Sequence, residues 1–238
     1  WYKGIIGAMN YLALMTRPDM SFALSVLASK CQCPTYGDYR KVRHLFKFAM
    51  GTAHMGINFR NDDDFQLCVY ADASYASRED CRSQNGYCMA LGAGNAAFYC
   101  KSSKQQLVTL SSTEAEYVAM FHSATEVVFL KRLVQQMGFV QEPVTVFQDN
   151  ESAIRWAHGQ ENFHRAKHLQ VKYHYVRELV RKKVIAVEYL STKEMVADVL
   201  TKPLVSEQFQ YLASMMLGVF SFHKRTASES YSGVSVTT

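Results

Sequence analysis

The hydrophobic pattern changes its period near Gly51, and that change limits what this chain can fold into. Up to Met50 apolar residues recur at helical spacing, which predicts helices over roughly 2–15, 19–32 and 37–50, broken at Pro18, Pro34 and Gly37. From Met55 the period is two: first MGINF, then FQLCVYAD, in which Phe65, Leu67, Val69 and Ala71 alternate with Gln66, Cys68, Tyr70 and Asp72. RNDDD between them reads as a hairpin turn. Short strands follow at 86–91 and 96–100, joined through Gly92 and Gly94. A long helix is expected from Ser112 to Met137, kinked near Ser123 to Thr125 and capped by Gly138. Then come a strand at 144–149, helices at 151–157 and 167–183, a strand at 184–190 and a final helix carrying EMVADVLTK. Three strands, helix, strand, helix, strand, helix is the order of a mixed α/β sheet flanked by helices.

The 238 residues, 48% of them hydrophobic, suffice for one good core and a small second unit. The formal charge of +5 is unevenly spread: Arg155 to Lys183 carries eight Lys/Arg against Glu161 and Glu178. Such a stretch either faces a polyanion or is a solvated helix face. Six cysteines with no C-x-x-C pair read as reduced thiols in an intracellular protein. Lys3 and Asn10 interrupt the apolar opening, and Arg17-Pro18-Asp19 stops it too early for a membrane span. With neither a signal peptide nor an initiator methionine, the chain is expected to be a piece of something longer. The Ser/Thr-rich tail from His223 is expected to be disordered.

Four carboxylates stand at element ends: Asp72 and Asp149 each close an apolar strand, and Glu116 and Asp198 each fall in the first turn of an expected helix. Any one of them alone is more often a surface or capping group. If they converge, like charges raise one another's pKa, and a divalent cation is the natural partner. Oxygen ligands with no Cys or His among them favour Mg²⁺ or Mn²⁺ over Zn²⁺. Glu114 and Glu116 point roughly 200° apart on a helical wheel, so one site cannot use both. With Ser111 as N-cap, Glu114 falls where a capping box returns its carboxylate to the Ser111 N–H, although the wheel alone does not choose between the two glutamates.

YADAS (70–74), SSTEAEY (111–117), QDNESA (148–153) and ADVLTKPL (197–204) resemble the four acidic motifs of ribonuclease H in copia-type retrotransposon Pol polyproteins. NGYCMALG, KSSKQ and KHLQVKYHYVRE are similar to signatures of the same family, and the likeness runs over about residues 2–220. The resemblance implies a ribonuclease H-like mixed five-stranded sheet over residues 55–222, preceded by a helical connection segment over 1–54 that follows a reverse transcriptase, with a tail over 223–238. It implies that Asp72, Glu116, Asp149 and Asp198 hold Mg²⁺, with Mn²⁺ as substitute, and that Ser112, Thr113 and Asn150 touch the nucleic acid backbone. It also implies hydrolysis of the RNA strand of RNA:DNA hybrids, with the upstream reverse transcriptase portion as a partner. The setting implied is cytoplasmic, in virus-like particles, with access to the nucleus. Arg181, Lys182 and Lys183 are the expected phosphate-binding face. The STKEMVA loop lacks the histidine that cellular ribonucleases H carry there, and Lys193 stands as its substitute.

His164 and His168 have metal-ligand spacing, but no C-x-x-C follows to complete a zinc site. NDDDF sits in a hairpin context without the tyrosine of a polymerase motif, so no polymerase site is expected. An integrase-like nuclease needs a glutamate roughly 35 residues after its second aspartate, where Lys183, Val184 and Ile185 stand instead. The reading from another class is an inert or domesticated remnant that binds hybrid nucleic acid or a protein partner without cutting.

Overall fold

The structure, a computed structural model, describes residues 1–60, 65–92, 94–160 and 170–219. Five strands, β1 (Leu67–Ser74), β2 (Gln84–Leu91), β3 (Ala97–Lys104), β4 (Val144–Gln148) and β5 (Ile185–Tyr189), form one sheet in the order β3-β2-β1-β4-β5. The β1–β2 and β2–β3 pairs are antiparallel, and β1–β4 and β4–β5 are parallel. This is the mixed five-stranded sheet flanked by helices that the sequence implied. Strand alternation divides the core. Leu67, Val69 and Ala71 pack with Tyr117, Met120 and Val127 of α4 (Ser112–Gln136) and with α5 (Glu151–Ala157) and α6 (Gln170–Arg181). On the other face Cys68 and Tyr70 pack against a 3₁₀ helix, Val196–Leu200, and α7 (Ser206–Met216).

Ahead of the sheet, α1 (Tyr2–Met15), α2 (Ser21–Ala28) and α3 (Tyr36–Gly51) share a separate apolar cluster around Met20, Leu24 and Val42. A buried Arg17–Asp19 ion pair at 2.8 Å holds its turn, and Arg17 also donates to the Thr52 carbonyl at the end of α3. Thr35 and Asp38 form a reciprocal capping box that starts α3.

Four sequence expectations need correction. MGINF is not a strand: residues 55–60 are irregular, and the Asn58 N–H donates to the Leu217 carbonyl rather than to a neighbouring strand. The second expected helix is a 3₁₀ turn, Pro18–Met20, followed by the shorter α2. α4 is continuous through Ser123 to Thr125, where both hydroxyls bond back to carbonyls of the preceding turn. The segment carrying Asp198 is a 3₁₀ helix, and the last α-helix is α7, which the sequence reading did not include. Residues 61–64 of the expected hairpin turn, residues 167–169 of the expected helix over 167–183, His164, His168 and the tail from His223 lie outside the described residues.

Gly86 fixes how closely that 3₁₀ helix approaches. It pairs with Asp72 across β1 and β2, and a Cβ there would lie 2.5 Å from Thr201 Cγ2 and 2.7 Å from Leu200 Cβ. Gly86→Ala is therefore expected to destabilise the fold by about 1–3 kcal/mol through overpacking. Denaturant melts of the two proteins check this, and an unchanged midpoint would show that the contact yields.

Candidate active site

Parallel pairing places Tyr70 beside Phe147, so two residues further on Asp72, still within β1, and Asp149, just past β4, stand side by side at the carboxyl end of this strand pair. Glu116 reaches them from the amino-terminal part of α4. One oxygen from each of these three carboxylates lies within 4.8 Å of the others. Asp72 and Glu116 are buried and Asp149 is half-buried. Glu116 is fixed by two donors, the Ala73 N–H at 2.9 Å and Gln148 Nε2 at 2.7 Å. Thr192 donates to Asp149 at 2.8 Å, and Thr201 donates a short bond to Asp72.

Asp198 is fully buried on the same side, and the Lys202 ammonium lies 2.8 Å from its Oδ1 and 3.9 Å from Asp72 Oδ2. That contact is an ion pair without hydrogen-bond alignment, since neither Asp198 oxygen has a hydrogen-bond partner. Burial, then Asp72 and Asp149, raise the Glu116 pKa well above its ordinary value, against the Gln148 hydrogen bond. Burial and Asp72 likewise raise Asp149, and they push Asp198 up to about 8 despite Lys202. Burial alone would lower Lys202, but Asp72 and Asp198 outweigh it and raise that ammonium. One lysine cannot neutralise four carboxylates. A set of hard oxygen donors with buried, unbonded Asp198 oxygens at its edge fits a divalent cation such as Mg²⁺.

The other expected site residues are placed unevenly. Ser112 is exposed and Thr113 half-buried in the first turn of α4, one turn before Glu116. Asn150 is committed to capping α5, its Oδ1 accepting from the Ala153 N–H at 3.1 Å. Arg181, Lys182 and Lys183 are not brought to the carboxylates. They precede β5 and so lie at the opposite end of the sheet, with Lys182 paired to Glu178 and Lys183 taking the left-handed position of the α6–β5 turn. Thr192, not its exposed neighbour Lys193, contacts Asp149. Glu114 has the capping role expected of it, but its carboxylate accepts from the Leu110 N–H at 2.8 Å, one residue earlier than the Ser111 N–H. Gln148, Thr201 and Lys202 were not singled out from sequence. Gln148 was detectable as a polar side chain at an inward position of an apolar strand, and Lys202 as a cation four residues after Asp198.

The raised carboxyl groups set a pH dependence. Asp198 ionises near its ordinary 3.8 when unfolded and at about 8 in the folded, metal-free chain. The folded state therefore holds the proton more tightly, and this contribution to stability is complete below the unfolded value and lost as pH rises to about 8. Glu116 and Asp149 shift in the same direction. In EDTA the melting temperature should fall between pH 5 and 8.5 more steeply for the wild type than for Asp198→Asn. Parallel curves would mean that Asp198 is not the group responsible. Added Mg²⁺ should raise the melting temperature more at pH 8 than at pH 6, because binding requires the ionised carboxylates.

No family model matches the chain. The retrovirus-related Pol polyprotein from transposon RE1 of Arabidopsis thaliana is 33% identical over 215 residues, covering 90% of this chain and 14% of that protein. The corresponding polyprotein from transposon TNT 1-94 of Nicotiana tabacum is 33% identical over 221 residues, covering 92% and 16% respectively. Among solved structures, LC11-RNase H1 in complex with RNA/DNA hybrid aligns with a TM-score of 0.44 at 17% identity, covering 57% of this chain and 93% of that one. The chain spans roughly one-seventh of the length of the polyproteins it matches. Across nine-tenths of its own residues, it belongs to the Pol polyproteins of copia-type retrotransposons.

Proposed function

We propose that this chain is the ribonuclease H portion of such a polyprotein, a Mg²⁺-dependent endonuclease that hydrolyses the RNA strand of RNA:DNA hybrids. The observation that carries the reading is the convergence of Asp72, Glu116 and Asp149, from β1, α4 and the end of β4, within 4.8 Å of one another. These three and Asp198 are the residues that hold the metal in this reading. When bound, Mg²⁺ or Mn²⁺ supplies Lewis-acid stabilisation to the oxygens of a phosphodiester undergoing displacement.

The chain's own groups hold the carboxylates for that task. The Ala73 N–H and Gln148 lock Glu116, Thr192 orients Asp149, and Thr201 orients Asp72. Lys202 keeps Asp198 beside Asp72 and moderates the repulsion between them. Ser112 and Thr113 present hydroxyls and N–H groups at the start of α4, suited to the backbone of a bound strand. Asn150 positions Asp149 by starting α5 directly after it. Arg181, Lys182 and Lys183, remote from the carboxylates, contribute long-range attraction for a polyanion. The RNA strand is identified through its 2′-hydroxyls.

Residues 1–54 are, in this reading, the connection from an upstream reverse transcriptase, and residues 55–222 the nuclease unit, with no polymerase site in either. An intracellular setting in virus-like particles accompanies it. Among the described residues no helix is long and apolar enough to cross a membrane.

Cleavage of a labelled hybrid with Mg²⁺ against EDTA tests the activity. Asp72→Asn should abolish cleavage while leaving the melt cooperative, and full activity in that variant would remove the metal-site reading. Ca²⁺, with its looser coordination, should not replace Mg²⁺. Glu116→Gln should lose nearly all cleavage. Glu114→Gln should retain most of it and lose about 1 kcal/mol of stability or less, since an amide still accepts from the Leu110 N–H. The reverse ranking would mean that the two glutamates are assigned the wrong way round.

A further inference from the structure

A groove of about 1420 Å³ lies between the α2–α3 pair and the turn that follows β1. Its lining carries seven Lys/Arg against Glu79 and Asp80, a surplus equal to the formal +5 of the entire chain. Both acids are already compensated: Lys30 pairs with Glu79 at 2.7 Å, and Lys104 with Asp80 at 2.8 Å. Arg78 is fixed on Gln84 and Ser25. What remains is the outer face of α3, where Arg40, Arg43 and Lys47 are exposed and have no acidic partner among the described residues. Seven residues of helix rise about 10 Å, close to three steps of about 3.4 Å along a duplex axis, the separation of the first and last of four successive phosphates on one strand. The lining includes Pro203, the residue after Lys202, whose ammonium lies 2.8 Å from Asp198 and 3.9 Å from Asp72.

We propose that this groove binds the phosphodiester backbone of a nucleic acid, with Arg40, Arg43 and Lys47 as the phosphate contacts, and that it guides the strand onto the carboxylate cluster. This deepens the ribonuclease H reading and rests on it for the substrate. It gives the helical segment a task in recognition that the sequence had assigned to Arg181, Lys182 and Lys183. Phosphate contacts of this kind carry no base readout, so the groove is indifferent to sequence.

The test is fluorescence anisotropy of a labelled RNA:DNA hybrid against KCl concentration, in EDTA so that nothing is cut. The chain carrying Arg40→Gln, Arg43→Gln and Lys47→Gln is compared with wild type and with Arg181→Gln, Lys182→Gln and Lys183→Gln. The α3 variant should bind about tenfold more weakly or worse near 0.1 M salt, and its log–log salt slope should be shallower by about 2 to 3. Its melting temperature should match wild type, because all three side chains point to solvent. Wild-type affinity and slope in the α3 variant overturn the proposal, as does a larger loss in the Arg181–Lys183 variant. A parallel cleavage assay separates the two readings. Weak binding by the α3 variant with no cleavage by wild type keeps the groove and removes the nuclease, whereas cleavage by wild type with unaffected α3 binding does the opposite.

Discussion

Repulsion among four carboxylates gathered at one end of a sheet is the constraint around which the rest of this structure is arranged. Like charges a few ångströms apart in a poorly hydrated site cannot all ionise freely, and Glu116, Asp149 and Asp198 accordingly hold their protons above the usual range. Each carboxylate is held where it is by a partner: the Ala73 N–H and Gln148 donate to Glu116, Thr192 donates to Asp149, Thr201 donates to Asp72, and Lys202 forms an ion pair with Asp198. These partners come from four stretches of chain, at residues 73, 148, 192 and 201–202. The cluster is therefore a property of the folded sheet and not of any local segment.

The sheet topology makes the gathering possible. Parallel pairing of β1 and β4 brings two strand-closing aspartates level, which an antiparallel neighbour could not do, because its closing residue would leave at the far end. α4 crosses behind β1 with its amino-terminal end at the same edge, so Glu116 enters from one side while the 3₁₀ helix bearing Asp198 enters from the other. Gly86 permits the second approach. A side chain at that position would hold Leu200 and Thr201 off β2, and with them the hydroxyl that orients Asp72.

The parts of this arrangement that follow from local pattern could be read from the sequence. Alternation identified β1 and placed Asp72 near its end, although the strand runs two residues further to Ser74, and the Ser111 cap gave Glu114 a role distinct from that of Glu116. Features decided by distant contacts could not. MGINF alternates like a strand, yet Asn58 bonds to the end of α7 instead. EMVADVLTK has helical composition, but Pro203 disfavours helical backbone at the residue before it, and the packing of Leu200 on β2 tightens the turn to 3₁₀. α7 was missed although Leu212, Ala213, Met215 and Met216 are all buried, because the β1 face they cover is unknown until the sheet is assembled. Lys202 could be quoted inside a motif without its role being evident, since its second partner, Asp72, is 130 residues away in sequence.

To the extent that its carboxylates are ionised, the cluster repels the phosphates of any nucleic acid that approaches it, and Lys202 offsets only part of that charge. A polyanion is therefore drawn to such a site only if cations elsewhere on the surface outweigh the carboxylates at long range, and in physiological salt this attraction fades beyond roughly 8 Å. Distance along the surface then decides which basic stretch matters. The α6–β5 corner lies a full strand length from Asp149, about 16 Å at 3.3 Å per residue, and its charge is partly spent on Glu178. The groove beside α3 has Pro203 in its lining, and its Arg40 and Arg43 have no acidic partner among the described residues. Under the proposal that this groove holds the strand, the small apolar cluster around Leu24 and Val42 is coupled to the sheet edge, since loosening it would move Arg40, Arg43 and Lys47 relative to Asp72.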